Sequence, residues 1–389
     1  MTFSLCPSCN KHNIEAFLSI KNAPIYSVVT VRSKKEALSV PRKDIELGFC
    51  HDCGFIFNRL FDTSIDYFSM GYEDQQGFSK TFMQYLTRIS KDLIEKYNLK
   101  GKRLVEIGCG KGDFINILNK LAGGKGFGID PAYEEGRQTN PDLIFFREKY
   151  SEKHGRLAAD FICCRHTLEH IFQTHAFLTL IRSSLGTDHK PVIFFEVPYI
   201  TRILEIQAFW DIYYEHCSYF SAGSLCRLFR NTGFEVLDVR LDYSDQYLLI
   251  DAIPTDYPAE KHIAIEESID EQRRRIDKFM ININAQLGEW RERLEALKAE
   301  RKKVVVWGGG SKSVGFLTHF SEIGLIDYVV DINPHMANNF IPGIGSQYVA
   351  PDFLKDYQPD TIIIMNGVYQ NEITETIHKM GVYPKIYTL

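Results

Sequence analysis

One segment of the sequence, between Asp211 and His216, brings together groups that can move protons. It holds an aspartate, two tyrosines, a glutamate and a histidine in close succession. A histidine near its ordinary pKa accepts a proton at neutral pH, and a carboxylate beside it can fix its tautomer. The segment therefore predicts a proton-transfer site, and the alternative is a polar and aromatic packing loop.

Four of the nine cysteines form two C-x-x-C pairs near the amino terminus: Cys6, Cys9, Cys50 and Cys53. Each pair makes a tight turn that aims two sulfurs at one point, and Zn²⁺ prefers four soft ligands in a tetrahedron. Because the sequence shows no secretory signal, the pairs indicate thiolates on a metal and not a disulfide framework. We expect structural zinc, with four metal-free structural thiols as the alternative. His51 is a further candidate ligand, more simply explained as a solvated turn residue.

A glycine turn separates a predicted strand from a predicted helix within residues 105–114. Gly108, Gly110 and Gly112 allow a tight turn that brings bare backbone close to a small ligand. A second strand ends at Asp130, about 20 residues later, where a ribose diol is usually held. The pattern predicts a nucleotide-like cofactor, and a turn without any ligand is the alternative.

The elements that position these groups alternate between strand and helix patterns, which predicts a doubly wound parallel sheet. We expect consecutive core strands at residues 104–107, 126–130, 161–164 and 192–197, with further strands within residues 233–253. Ligands bind at the carboxyl ends of such strands, so the following loops should converge on one crevice. His166 should line that crevice, whereas Glu169 and His170 are interpreted as structural residues at a helix start.

The carboxyl-terminal third repeats the strand-to-glycine plan at residues 303–313, followed by a strand that ends in Asp331. A second Rossmann-like unit is predicted, although Ser313 stands where a dinucleotide fingerprint has its last glycine. Before it, apolar residues recur at steps of four and three through a charged stretch. This spacing predicts a long helix that packs across both neighbouring domains, and the alternative is a coiled-coil dimer.

Composition narrows the class of protein. The chain has 389 residues, of which 44% are hydrophobic and 24% charged, and a mean hydropathy of −0.19, as in a globular protein of two or three domains. A formal charge of −5 and a pI near 6.2 argue against binding nucleic acid through bulk positive charge. We expect a cytoplasmic protein, monomeric or homodimeric, that acts on a small molecule and binds no membrane.

Several of these motifs together resemble those of one family. The E-x-G-x-G-x-G form of residues 106–112 resembles the S-adenosylmethionine (SAM) loop of class I methyltransferases, and a Leu-Glu-His-Ile segment follows at residues 168–171. With the cysteine pairs, the Tyr-x-Glu-His segment at residues 213–216 and the second glycine turn, nearly the whole chain is similar to the three-part sugar C-methyltransferases.

The resemblance implies a fold class and a domain plan. The fold is α/β: a class I methyltransferase Rossmann-like doubly wound sheet, preceded by a small zinc-binding domain and followed by a second Rossmann-like domain. The expected parts are a zinc-binding domain and linker (1–75), a SAM-binding domain (76–254), a connecting helix (255–302) and a Rossmann-like domain (303–389). The implied cofactors are SAM and structural Zn²⁺.

The resemblance also implies roles for residues. His216 would be the general base, Glu215 its partner and Tyr213 a hydrogen-bond donor. The implied cofactor-binding residues are Glu106, Gly108, Gly110, Gly112, Asp130 and His166. The implied substrate-binding residues are Tyr72, Tyr214, Gly309, Ser311 and Lys312, of which the last three would hold a phosphate or a sugar hydroxyl.

The implied substrate is a nucleotide-linked keto-deoxysugar. A proton is removed next to the ketone, and the resulting enolate carbon attacks the methyl group of SAM. Residues 72–79 replace the tyrosine- and serine-rich run that these enzymes often carry, and form either a packing loop or a cap over SAM. The alternatives are an O- or N-methyltransferase, a non-catalytic nucleotide-sugar binding or scaffold protein and, more distantly, an NAD-dependent reductase.

Overall fold

The amino-terminal part of the chain forms an antiparallel sheet. The computed structural model describes residues 2–65, 67, 71–73, 75–186, 190–258 and 262–389. The first elements are β1 (Ile14–Pro24), α1 (Lys34–Leu38), β2 (Arg42–Cys50) and β3 (Ile56–Asn58). β2 pairs antiparallel with β1 and β3, and Cys50 at the end of β2 brings the second cysteine pair to one edge of the sheet.

The central part is a seven-stranded sheet with helices packed on it. Its elements, with one short strand that pairs elsewhere, are α2 (Lys80–Tyr97), β4 (Arg103–Ile107), α3 (Asp113–Ala122), β5 (Lys125–Ile129), β6 (Leu143–Phe146), β7 (Phe161–Arg165), α4 (Thr174–Ser184), β8 (Val192–Pro198), α5 (Ile200–Glu205), β9 (Ser218–Tyr219), α6 (Ala222–Asn231), β10 (Phe234–Asp242) and β11 (Tyr247–Pro254). The strand order is β10-β11-β8-β7-β4-β5-β6, and β11 runs antiparallel to both neighbours.

Two features of this sheet differ from the sequence-based prediction. The four predicted core strands are present, but they are not consecutive, because the edge strand β6 lies between β5 and β7. β6 is a run of only four apolar residues, and Ile144 within it is 48% exposed because the strand lies at the edge of the sheet. The sheet is also mixed and not purely parallel, since the tight turn between β10 and β11 returns the chain antiparallel.

The carboxyl-terminal part is a five-stranded parallel sheet that follows a long helix. Its elements are α7 (Ile269–Ala299), β12 (Val304–Trp307), α8 (Ser311–Thr318), β13 (Tyr328–Val330), β14 (Gln347–Val349), α9 (Leu354–Tyr357), β15 (Thr361–Ile364), α10 (Gln370–Lys379) and β16 (Lys385–Thr388). The strand order β14-β13-β12-β15-β16 places β12 and its glycine turn at the centre.

The long helix α7 is shorter than the predicted range 255–302. It begins after Ser268, whose side chain accepts from the backbone of Glu271 while the Glu271 carboxylate accepts from the Ser268 backbone. This reciprocal cap fixes the start of the helix. The apolar seam is covered within the chain: Phe279 is fully buried, and Trp290 packs edge-on against Phe316 of α8 at 5.2 Å.

The segment after α5 joins all three parts. β9 adds to β3 as the fourth strand of the amino-terminal sheet, with Ile56 opposite Tyr219. Just before it, the backbone passes so close to α8 that a Cβ on Gly315 would lie 2.3 Å from the carbonyl oxygen of Trp210. Residues 211–217 therefore lie between the amino-terminal sheet and helix α8. No helix in the part of the chain described is both long and apolar enough to cross a bilayer.

Candidate active site

The three parts of the chain meet around one cavity of about 330 Å³. The carboxyl ends of β7 and β8 contribute His166 and Pro198, and the turns after β12 and β13 contribute Gly309 and Asp331. Ligands in open α/β sheets bind at these strand ends. In both the central sheet and the carboxyl-terminal sheet, the carboxyl ends of the strands therefore face the same cavity.

Tyr213 and His216 form a hydrogen-bonded pair in the lining of this cavity. The Tyr213 hydroxyl lies 2.7 Å from His216 Nε2, and both side chains are buried. Burial lowers the pKa of His216 well below its ordinary value, and the nearby His170, His166 and Lys312 lower it further. At neutral pH the imidazole is uncharged, which is the form that can accept a proton.

The predicted partnership between Glu215 and His216 is wrong in its geometry. The Glu215 carboxylate points to the amino-terminal part, where Oε1 accepts from the Ser27 backbone N–H at 2.7 Å and Oε2 from the Ser27 hydroxyl at 2.6 Å. The Tyr72 hydroxyl donates to Oε2 at 3.2 Å. Residues 213–216 form a turn, in which the His216 N–H donates to the Tyr213 carbonyl at 3.2 Å, and the side chains of Glu215 and His216 have different partners. Ser27 carried no sequence signal that could have linked it to the site.

Tyr214 is not placed to bind a substrate. Its side chain is almost fully buried, and its hydroxyl accepts from the backbone N–H of Asp62 at 2.9 Å and donates to the carbonyl of Leu60 at 3.4 Å. It also packs against Phe61. This tyrosine therefore anchors the segment to the amino-terminal part, which corrects the sequence-based interpretation.

A buried charge network holds His166 at the cavity. His166 Nε2 lies 2.8 Å from a Glu196 oxygen, and the Arg165 guanidinium and the Tyr85 hydroxyl contact the same carboxylate. Burial lowers the pKa of His166, but Glu169 and Glu196 more than offset this and raise it to about 9. His166 is thus a cation at neutral pH, and its left-handed backbone (φ 46°) lets it face the cavity from the end of β7.

His170 belongs to the cavity, which the sequence analysis did not predict. Its ring lies edge-on to that of His216 at 4.8 Å, and Nδ1 donates to the Glu215 carbonyl at 3.1 Å. Ligand atoms of Glu169, His170 and His216 lie within 4.8 Å of one another, so the three could also hold a cation. Tyr213 already occupies one ring nitrogen of His216. The sequence signal for a role of His170 in the cavity was its position shortly after the carboxyl end of a parallel strand.

The first glycine turn has the geometry of a nucleotide cradle. Gly108, Gly110 and Gly112 all have positive φ, at 71°, 53° and 83°. A Cβ at Gly108 would clash with Thr167 at 2.0 Å, and one at Gly112 would lie 2.8 Å from Phe145, so neighbouring elements also require these glycines. Asp130 accepts from the N–H groups of Gly110 and Ala132 and keeps further lone pairs for a diol. By the family resemblance, the glycines would face the methionine part of SAM and Asp130 would bind its ribose hydroxyls.

Glu106 serves the backbone of this turn. Its Oε2 accepts from the N–H of Ile115 in α3 at 3.0 Å, which ties the helix to the strand end. Burial raises the pKa of Glu106 to about 8, although Arg165 opposes this shift. Glu106 lies outside the described lining of the large cavity, as do Gly108, Gly110, Gly112 and Asp130. The first glycine turn therefore does not line this cavity.

The loop at residues 72–79 lies against the first glycine turn, although Asp74 falls outside the described residues. Gln75 donates to the Asp113 carboxylate at 3.0 Å, and Glu73 pairs with Arg137 at 2.9 Å. Tyr72, Gln75 and Ser79 also line the cavity. The loop packs between the two sheets, at the border between the cradle and the cavity.

The second glycine turn mirrors the first. Gly309 donates its N–H to Asp331 at 2.6 Å, just as Gly110 donates to Asp130. Ser311 and Lys312 begin α8 and line the cavity, and Lys312 forms an ion pair with Asp211. The three predicted substrate-binding residues of this turn are thus brought to the same cavity as His216.

The four cysteines meet as their spacing predicts. Their sulfurs lie within 4.8 Å of one another, with Cys6 and Cys53 3.7 Å apart and Cys9 and Cys50 3.5 Å apart. Zinc–sulfur bonds of about 2.3 Å in a tetrahedron would separate the sulfurs by about 3.8 Å. The cluster therefore fits a zinc ion. His51 contacts Glu15 at 2.9 Å and stands outside the cluster.

Two family models match the chain. The model described as a methyltransferase domain matches residues 79–239, and the model described as a C-methyltransferase C-terminal domain matches residues 258–382. The C-methyltransferase NovU of Streptomyces niveus is 26% identical over 320 residues, which are 76% of this chain and 74% of that protein. The similarity thus extends across both glycine turns.

Solved structures with similar folds include two other methyltransferases. Magnesium protoporphyrin IX methyltransferase (ChlM) from Synechocystis PCC 6803, with bound SAH, has a TM-score of 0.35 and 14% identity, covering 50% of this chain and 90% of that one. The 1,6-didemethyltoxoflavin-N1-methyltransferase of Burkholderia thailandensis has the same score and identity, covering 46% and 83%. Each alignment leaves at least half of this chain unmatched.

Proposed function

We propose that this chain, a SAM-dependent methyltransferase with a class I α/β fold, methylates a carbon next to a ketone in a nucleotide-linked deoxysugar. One observation carries the proposal: a neutral imidazole, hydrogen-bonded to a tyrosine, lies in a cavity that the second glycine turn also lines. Methylation of carbon needs a carbanion equivalent, and hence a base, whereas a hydroxyl or amine acceptor does not need one of this kind.

His216 is the proposed general base. Its lowered pKa keeps the ring nitrogen unprotonated, so the imidazole can remove a proton from carbon beside the carbonyl. The Tyr213 oxygen lies within hydrogen-bond distance of His216 Nε2 and lines the same cavity. When Nε2–H donates to that oxygen, Nδ1 is the basic nitrogen, and the Tyr213 hydroxyl hydrogen is left to stabilise negative charge that develops on the ketone oxygen. Bound SAM supplies an electrophilic methyl group.

The second glycine turn is proposed to bind the nucleotide. Helix α8 begins at Ser311, in the lining of the cavity, and a helix amino terminus favours phosphate. The charge of Lys312 is partly offset by Asp211, so the turn suits a diphosphate without excess positive charge. The acceptor part of the substrate would then lie between this turn and the Tyr213–His216 pair.

The Cys6, Cys9, Cys50 and Cys53 cluster is proposed to hold structural zinc. All four ligands come from the protein, which closes the coordination sphere and removes the open position that catalysis requires. The ion would fasten the amino-terminal residues to the end of β2 and to the turn before β3. It would thereby support the sheet to which the site segment is anchored.

The test is incubation with SAM and candidate nucleotide keto-sugars in D₂O, for the wild type and for His216→Ala. The wild type should exchange the proton next to the ketone and transfer a methyl group to that carbon. His216→Ala should lose both while still binding SAM by calorimetry. Methylation of a hydroxyl or nitrogen without exchange would replace the proposed reaction, and SAM binding without any turnover would favour a sugar-binding scaffold.

A further inference from the structure

We propose that Ser311, Ser27 and Glu215 form a proton relay between the buried Glu215 carboxyl group and a substrate oxygen in the cavity. The proposal rests on the function proposed above for the identity of that oxygen. The three residues come from three parts of the chain, and both links between them are short. Ser27 Oγ lies 2.6 Å from Glu215 Oε2 and 2.8 Å from Ser311 Oγ.

Burial makes an intermediate necessary. Glu215 is 1% exposed and Ser27 2%, and neither belongs to the described lining of the cavity, whereas Ser311 does. A proton on the carboxyl group therefore reaches the cavity only through a neighbouring hydroxyl. The Tyr72 hydroxyl is the other neighbour, but its 3.2 Å contact is long for an O–H···O bond, which is usually about 2.7–2.8 Å. The serine path has the better geometry at each link.

The direction of the relay depends on the charge of Glu215, because each serine has one hydroxyl hydrogen. When Glu215 is ionised, Ser27 donates to it, so Ser311 must donate to Ser27 and shows only lone pairs to the cavity. When Glu215 is protonated, the chain reverses and Ser311 becomes a donor to the cavity. The proton resides on Oε2, since Oε1 accepts the backbone N–H of Ser27. Burial raises the pKa of Glu215, whereas His170 and the hydrogen bonds from Ser27 and Tyr72 lower it.

The relay balances the proposed reaction. His216 takes the proton next to the ketone, and the electron pair of that C–H bond moves into the enolate, leaving charge on oxygen. That oxygen takes the proton of Ser311, Ser311 takes that of Ser27, and Ser27 takes that of Glu215, which becomes a carboxylate. When the enol carbon forms its bond to the methyl group, the hydroxyl proton returns along the same path. The relay is restored, and His216 keeps the one proton that the substrate loses.

The kinetic test compares Ser27→Ala, Ser311→Ala and the double variant. Loss of a general acid slows a reaction by about 10²-fold or more, so each single variant should lose on the order of 10²-fold in kcat. One break interrupts the relay, so the double variant should be no slower than the slower single variant. Ser313→Ala is the matched control: its hydroxyl donates to Gly310 in the same turn of α8, outside the path, and kcat should be retained.

A second measurement needs no acceptor substrate. In the SAM-bound protein, the infrared band of the protonated Glu215 carboxyl group, assigned by its loss in Glu215→Gln, should exchange to deuterium more slowly in both alanine variants than in the wild type. Unchanged exchange, or kcat losses that multiply in the double variant, overturns the relay. Slowed exchange in a protein that methylates no keto-sugar would keep the relay and refute the proposed function. Calorimetry with SAM checks that every variant is folded.

Discussion

His216 can act as a base only as a neutral imidazole, and the cavity keeps it neutral in two ways. The ring is removed from water, and three cationic or potentially cationic side chains surround it: His170, His166 and Lys312. The same surroundings give His166 the opposite charge state, because two carboxylates face it and raise its pKa. Two histidines at one cavity thus have separate tasks, as acid and base groups with divergent pKa values often do.

This difference predicts the pH dependence of the reaction. Since the pKa of His216 lies below its ordinary value of 6.5, the base stays unprotonated as the pH falls through 6.5. The acid limb of kcat/KM should therefore have its midpoint below 6.5, because kcat/KM reports the free enzyme. A profile from pH 5 to 8 measures it, with Tm recorded at each pH as the control. A midpoint at or above 6.5 would contradict the assignment of His216 as the base.

At the scale of single elements, the first glycine turn requires glycine mainly because a neighbouring side chain lies close to its backbone, and less because glycine is flexible. Gly108 and Gly123 both have positive φ values, of 71° and 73°, and Gly123 has a ψ of −176°, a region that glycine adopts far more readily than other residues. Only Gly108 has a neighbour in the way, since a Cβ there would meet Thr167, whereas nothing lies within 4 Å of a Cβ at Gly123.

The pair gives a matched experiment. Gly108→Ala should weaken SAM binding by more than about tenfold, or about 1.4 kcal/mol, because Thr167 or the turn must move. Gly123→Ala should keep the wild-type Kd while losing about 1–3 kcal/mol of stability, because its backbone conformation (φ 73°, ψ −176°) strongly favours glycine. Calorimetric titration with SAM and thermal unfolding measure the two effects. Equal SAM affinity in the two variants would show that the turn does not shape the cofactor recess.

The cysteine cluster predicts a metal content. The purified chain should carry one zinc ion, and Cys9→Ala should lose it together with several degrees of Tm, because the ion supplies stability to the folded state. Cys226→Ala, in a buried cysteine outside the cluster, should keep the zinc. Elemental analysis and thermal unfolding provide the readouts. Two zinc ions in the wild type would point to occupancy of the Glu169, His170 and His216 group.

Local pattern predicted those elements whose signal lies within a few neighbouring residues. Buried strands, both glycine turns and the cysteine pairs each follow from short spacing rules, and all were found at their expected positions. The exposed edge strand β6 and the turn of Glu215 away from His216 were not predicted. β6 has only four residues, too few to show a period, and Glu215 bonds to Ser27, a partner far away in sequence that the sequence alone does not reveal.

At the scale of the whole molecule, the important contact is the close approach of α8 to the backbone at Trp210. Gly315 in α8 and Gly288 in α7 are both helical glycines, but only Gly315 meets backbone, at Trp210. The ion pair of Lys312 with Asp211 spans the same contact. The position of the second glycine turn relative to His216 therefore depends on the absence of a side chain at Gly315.

Alanine at these two glycines should have opposite effects. Gly288→Ala should stabilise the protein by about 1 kcal/mol, since helix propensity improves and nothing obstructs the methyl group. Gly315→Ala should destabilise it by about 1–3 kcal/mol through overpacking and should raise KM for the nucleotide sugar, because α8 must move away from Trp210. Denaturant unfolding and steady-state kinetics test both. Equal stability changes of the two variants would contradict the close contact.

The pairing of β9 with β3 also bears on the order of folding. The first three strands of the amino-terminal sheet are synthesised early, but the strand that covers the edge of β3 belongs to residues 218–219. During translation that edge stays open until most of the central sheet has emerged, and open edges invite pairing with other chains. The amino-terminal part is thus not a unit that matures first. The amino-terminal sheet is completed only when residues 218–219 pair with β3, and the same step positions His216.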